Sequence, residues 1–193
     1  MDIGTIKNGL KPLLDDAFES EKILSENRSS QFLRRVYIRS VFAYIEGSIW
    51  ILKQVCLKAK SMDGAKRKIS ISEYTILTEE TYTLKGNGDI KTVSTSINLL
   101  DNIKFTYKTI NRLFKGEINI GVGTIAWDNL IKAKSMRNRI THPKNNIDMT
   151  ISDDEIDICE IVCSWHNELV HECFKLFVES GNQNTLTGND GAL

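Results

Sequence analysis

At 193 residues, with 41% hydrophobic and 26% charged residues and a formal net charge of zero, the chain has the composition of one globular domain long enough to bury a core. No run approaches the roughly 18 uncharged apolar residues of a membrane span, and the start Met1-Asp-Ile-Gly lacks the basic-then-apolar run of a secretory signal. Four cysteines in no paired framework complete the expectation of a cytoplasmic protein with reduced thiols and no membrane partner.

Prolines occur only at positions 12 and 143, leaving a 130-residue interior that favours helices. Residues 1–27 read as an amphipathic helix, with Pro12 near its first turn and Leu13, Leu14, Ala17, Phe18 and Leu24 facing inward. Ser29 or Ser30 then offers an N-cap for a long run to about Met62. That run is apolar on much of its circumference, from Phe32 and Leu33 through Tyr44 and Ile45 to Val55, which predicts the central helix of a bundle. Glu46 lies inside it and needs a cation, from Arg39 on the same helix or from Arg137 far along the chain. Gly47 beside it predicts close approach of another helix, since glycine costs about 1 kcal/mol in a helix interior relative to alanine.

Residues 63–93 break the helical pattern and are expected to form a small irregular or β-hairpin insertion. Asp63-Gly64 turns the chain and Lys66-Arg67-Lys68 marks a basic loop. Ser70 and Glu73 are spaced for a capping box, Thr75–Leu84 suits a strand as well as a helix, and Gly86–Asp89 is a turn. Ser96–Phe114 is a further helix with Ile97, Leu100, Ile103, Tyr107, Ile110 and Phe114 as its stripe. Gly116, Gly121 and Gly123 follow in a connection that is no phosphate loop, because no Gly-Lys-Ser/Thr succeeds it.

The next helix, Trp127–Thr141, carries the densest cluster of chemistry. Ala126, Leu130, Ala133, Arg137 and Ile140 share one face, and Arg137 is the member a core stripe does not want. A guanidinium keeps its charge, so a partly buried one needs an anion from the protein or from a ligand. Asn138 and His142 stack one turn apart on the neighbouring face, and Pro143 ends the helix so that His142 sits at its frayed tip. From the residues alone, an Arg137–Glu46 salt bridge and an exposed histidine stabilised by the helix dipole account for this pattern as well as a site does. After a loop at 145–150, Ser152 and Glu155 form a second capping box. The final helix runs to about Glu179 with Ile156, Cys159, Cys163, His166, Val170, Cys173 and Phe177 in one stripe. Its three cysteines and His166 are spread over about 21 Å of one helix, so they read as seam packing and not as a metal site. Residues 180–193 are read as a flexible polar tail, leaving 1–179 as a single domain.

Arg137-Asn138-Arg139-Ile140-Thr141-His142 resembles the Arg, polar residue, then His motif of the HEPN superfamily, and the order of helices around it fits. The resemblance runs loosely from about Arg34 to Phe177. It implies an all-α, up-and-down bundle of about five helices and, for many similar proteins, metal-independent endoribonuclease activity without a cofactor. It assigns Arg137, His142 and Asn138 as catalytic residues, Glu46 as the support for Arg137, and Lys134, Arg139 and Lys144 as RNA contacts. It further implies a homodimer whose two Arg137–His142 sets face one cleft, and roles in toxin–antitoxin or phage-defence systems with an antitoxin-like protein partner. Some relatives carry a modifiable tyrosine two residues after the histidine. Lys144 stands there in this chain, so that control is not carried over. Other family members are non-catalytic RNA- or protein-binding modules, which is the alternative expectation.

Charge is unevenly spread. Residues 28–68 hold ten Lys or Arg against two acids, and 152–179 hold eight Asp or Glu against one Lys. That asymmetry fits a basic concavity for a polyanion with an acidic face elsewhere, and equally fits solvated helix faces that simply differ in charge.

Overall fold

A computed structural model describes residues 3–59 and 69–187. Six helices and one two-stranded sheet occur among them: α1 (Ile3–Glu26), α2 (Gln31–Ala59), α3 (Ile71–Thr78), β1 (Glu80–Leu84), β2 (Ile90–Ser94), α4 (Leu99–Phe114), α5 (Ile125–Thr141) and α6 (Asp153–Thr187). The five long helices make an all-α bundle, and α3 with the hairpin is the inserted piece. The predicted end of α2 at Met62, the Asp63-Gly64 turn and the Lys66-Arg67-Lys68 loop lie outside the described residues.

Helix α2 is the hub, packed against all five other helices. Its apolar circumference explains why: Tyr37, Ile38, Val41, Ile45, Ile49 and Leu52 are each at most 1% exposed, a burial only a helix surrounded by others can reach. Gly47 lets α1 close on it, because a Cβ there would run into the Leu13 side chain. Ser30 caps α2, its hydroxyl accepting the Leu33 N–H at 3.4 Å. Both predicted capping boxes form. Ser70 and Glu73 exchange bonds at 2.9 and 3.2 Å, and Ser152 and Glu155 at 3.0 and 3.2 Å. The α6 stripe is buried along its whole predicted length, Ile156 through Phe177.

Several expectations are corrected. Pro12 lies well inside α1, not in its first turn. Phe18 and Phe32 point to solvent, 47% and 64% exposed, while Leu10 takes an inward place. Helix α6 continues past Glu179 to Thr187, so the segment from 180 begins as helix; residues 188–193 lie outside the description. An established helix adds a hydrogen bond with each further residue, and that propagation carries it into a polar sequence.

The hairpin projects from the end of α3. Its strands pair antiparallel from Glu80↔Ser94 to Leu84↔Ile90, every strand residue is exposed, and Gly88 takes φ +85° at the turn. Glu79 joins helix to strand in a left-handed conformation, φ 53°. Among the described residues no helix is long and apolar enough to cross a membrane.

Part of the charge asymmetry is paired internally among the described residues. Arg28 bonds Asp157 and, at 2.9 Å, Glu160; the buried Arg34 bonds Asp153 and, at 2.6 Å, the Ile151 carbonyl. Two arginines around the start of α2 thus latch onto the acidic start of α6. Carboxylates at that position also complement the α6 dipole.

Candidate functional site

A cleft of about 520 Å³ opens between α2, the α3–β1 junction, the start of α4 and α5. It is lined by Glu46 and Trp50 of α2, by Lys134, Arg137 and Asn138 of α5, and by Glu79, Asn98 and Asn102 from the α3–β1 junction and the start of α4. The helix period places these groups: Glu46 and Trp50 are four apart on the ridge of α2 that turns away from the core.

Arg137 is the fixed point. Its guanidinium forms an ion pair with Glu46, donates to Asn138 Oδ1 at 3.2 Å and lies 5.3 Å from the Phe42 ring centroid. Partial burial lowers its pKa from the ordinary guanidinium value, yet the group keeps its proton. Glu46 is 46% exposed, so it stands on the cleft rim and not within the apolar stretch its sequence position suggested. Arg39, the other candidate partner, instead donates to the Ile140 carbonyl at 3.2 Å and satisfies one of the open carbonyls at the end of α5. Lys134 reaches Asn98 Oδ1 at 3.4 Å, and the same oxygen accepts the Leu100 N–H at 3.1 Å as the N-cap of α4. The positive end of α4 therefore faces the cleft beside two cations.

The remaining predicted residues separate from this group. His142 is exposed at the C-cap of α5, its N–H bonded to Asn138 O at 3.0 Å, and does not line the cleft. Arg139 faces α6, where it pairs with Glu155 at 2.7 Å and donates to the Thr150 carbonyl at 2.9 Å. There it braces the bundle, away from the residues that line the cleft. Arg139→Ala is expected to lower stability in a urea melt by roughly 1 kcal/mol, the scale of a half-exposed ion pair. Lys144 lies in the exposed loop beyond Pro143, where its backbone N–H bonds Asp148 at 2.7 Å, and it is not part of the cleft. The cleft is of mixed charge, two cations facing Glu46 and Glu79, in place of the basic concavity expected.

Five groups at or behind this cleft were not anticipated. Trp50 is 43% exposed on its wall, and Asn98 and Asn102 bring amides to it. Glu79 is held from behind by Lys53, which is fully buried and donates to Glu79 at 2.8 Å and to the Ile76 carbonyl at 3.0 Å. Trp50 four residues beyond Glu46 was the one available signal; nothing in the sequence pairs Lys53 with Glu79.

His166 lies in the core, 0% exposed, with Nε2 at 2.5 Å from Ser48 Oγ. The four cysteines are free and buried, and among the described residues no three His, Cys, Asp or Glu side chains gather as a metal site.

No protein-family model matches the chain, and no curated protein or solved structure shows significant similarity to it.

Proposed function

We propose that this protein binds RNA in the Arg137 cleft and cleaves it without a metal, as the Arg137–His142 motif of HEPN-like proteins implies. The observation that supports the reading is the fixation of Arg137 by Glu46 on a wall shared with Asn138 and Lys134. A forked, permanently charged donor held in place is suited to the oxygens of a phosphate on its way to a phosphorane. RNA carries its own nucleophile. The 2′-OH attacks the adjacent phosphorus, one imidazole takes its proton, and the bond to the 5′-oxygen breaks as a second imidazolium protonates it. The products are a 2′,3′-cyclic phosphate and a 5′-OH. His142 sits one turn beyond Asn138 at the open end of the α5 ridge, so a twofold pairing that sets two α5 tips face to face supplies both imidazoles to a shared cleft. An antitoxin-like protein covering that face would silence it, as the toxin or phage-defence setting of similar proteins requires.

The test is incubation of total RNA with wild type, Arg137→Ala and His142→Ala in excess EDTA, with end-group analysis of the products. Wild type is expected to leave cyclic-phosphate ends, and either substitution to slow cleavage about a hundredfold or more. Cleavage abolished by EDTA, or full activity in His142→Ala, would sink the assignment.

A second reading is favoured by the place of His142 outside its own cleft. In it the protein is a non-catalytic module that retains RNA or a protein through the same wall. Wild type would then retain RNA without cutting it, Arg137→Ala would weaken retention, and His142→Ala would not.

A further inference from the structure

The Arg137 side of the cleft accounts for a phosphate; the opposite side is built differently. Trp50 leaves 43% of its surface open on the cleft wall although α2 has apolar neighbours that are fully covered, Ile49 and Leu52 among them. An indole kept at the lip of a polar cleft is a stacking surface, the feature by which proteins hold unpaired bases. Beyond it, at the end of the cleft, stands Asn102, 8% exposed. Its amide nitrogen donates to Glu79 Oε1 at 3.1 Å, and its carbonyl oxygen has no hydrogen-bond partner. Buried acceptors are ordinarily satisfied, so one left unpaired just behind a cleft wall marks a place for a donor from outside.

Glu79 adds a carboxylate to the same wall, and Lys53 holds it there from behind. The end wall therefore offers acceptors: a carboxylate and an amide oxygen. Among the bases, guanine alone presents neighbouring N1–H and N2–H donors on its Watson–Crick edge. Adenine and cytosine pair their exocyclic amine with an acceptor nitrogen, which a carboxylate repels, and uracil has a single donor.

We propose that this half of the cleft is a subsite for an unpaired guanine, with Trp50 stacking on its face and Glu79 and Asn102 Oδ1 reading its donors. The inference deepens the RNA reading above: it places a guanosine beside the phosphate held by Arg137 and Lys134, and makes the substrate single-stranded.

The full chain is titrated with the four nucleoside 5′-monophosphates, followed by intrinsic tryptophan fluorescence and by ligand-observed NMR, for wild type, Trp50→Phe, Trp50→Ala and Asn102→Ala. Guanosine monophosphate is expected to bind about tenfold more tightly than the other three. Trp50→Ala should weaken it about tenfold, Trp50→Phe should retain most of the affinity, and Asn102→Ala should erase the preference for guanine. Each variant is first shown by circular dichroism to melt within a few degrees of wild type, and Asn102→Leu, of similar size and without an acceptor, replaces Asn102→Ala if that variant does not fold, with the same expected loss of preference. Equal binding of all four nucleotides, binding of none, or a Trp50→Ala affinity equal to wild type would overturn the subsite. RNA cleavage with no dependence on Trp50 or on guanine would overturn it while leaving the nuclease reading intact. Guanine binding without any cleavage would uphold the subsite and remove the nuclease.

Discussion

Between pH 6.5 and pH 4 the protein is expected to lose about 3 kcal/mol of stability through one residue, His166. The ring is fully buried between Tyr44, 5.3 Å away edge-on, and Trp165, and burial pushes its pKa down to about 3. Its tautomer follows from its neighbour. The Ser48 hydroxyl has one proton and donates it to the Ile45 carbonyl at 2.9 Å, so Nε2–H must be the donor to Ser48 Oγ. Nδ1 then carries a lone pair that meets no partner. Protonating it would put an unpaired cation in the core. The sign is that of a group whose folded pKa is depressed: below 6.5 the unfolded chain takes a proton that the folded chain refuses. Stability therefore falls by about 1.4 kcal/mol per pH unit as pH drops from 6.5 toward the folded value. Urea melts of wild type and His166→Leu across that range would show it. The leucine variant, with Ser48 still bonded to Ile45, should lack this component of the slope. Parallel profiles for the two proteins would mean that the histidine is not what acid attacks.

Glu79→Ala is expected to cost about 3 kcal/mol in the same assay, whereas Lys53→Met should stay within about 1 kcal/mol of wild type. The asymmetry follows from burial. Lys53 is fully covered and its ammonium rests on Glu79 and the Ile76 carbonyl, while the Glu79 side chain is 32% exposed. Removing the carboxylate strands a buried cation with one neutral acceptor. Burial already lowers the pKa of this lysine against the opposing pull of Glu79. Removing the cation leaves a carboxylate that keeps the Asn102 amide and meets water. If both substitutions cost the same, the ion pair itself would be the stabilising part, and the burial asymmetry would not govern the outcome.

The hydrophobic period was enough to find the five long helices, and capping chemistry located the starts of α3 and α6 at Ser70 and Ser152. Gly47 and the Glu46–Arg137 pair were legible because each is an exception: a helix breaker and a charge among apolar residues demand a partner. What period cannot supply is the arc of an all-round apolar helix that its neighbours cover, so Phe18 and Phe32 were turned the wrong way. Lysine and arginine were misjudged for a related reason. Their apolar stems allow burial of most of the side chain, as at Lys53 and Arg34, and sequence spacing does not reveal the distant acid that receives the head group. The charge blocks of α2 and α6 looked like separate surfaces until the fold laid one upon the other. For the cleft, one wall was foreseen from the α5 motif. The other was assembled from α2, Glu79 and the start of α4, pieces far apart in the chain.

Helix α2 does two jobs on one rod. Tyr44, Ile45, Ile49 and Leu52 fill the core, and Glu46 and Trp50, interleaved with them, furnish the cleft. Deleting a single residue upstream of Tyr44 would turn both sets together by about 100° against the rest of the bundle, so that core and cleft would be displaced at once. Recognition and folding are therefore not independently adjustable here: variation in what the cleft accepts has to arrive through α4, α5 or the Glu79 junction, the walls that can be rebuilt without turning the axle.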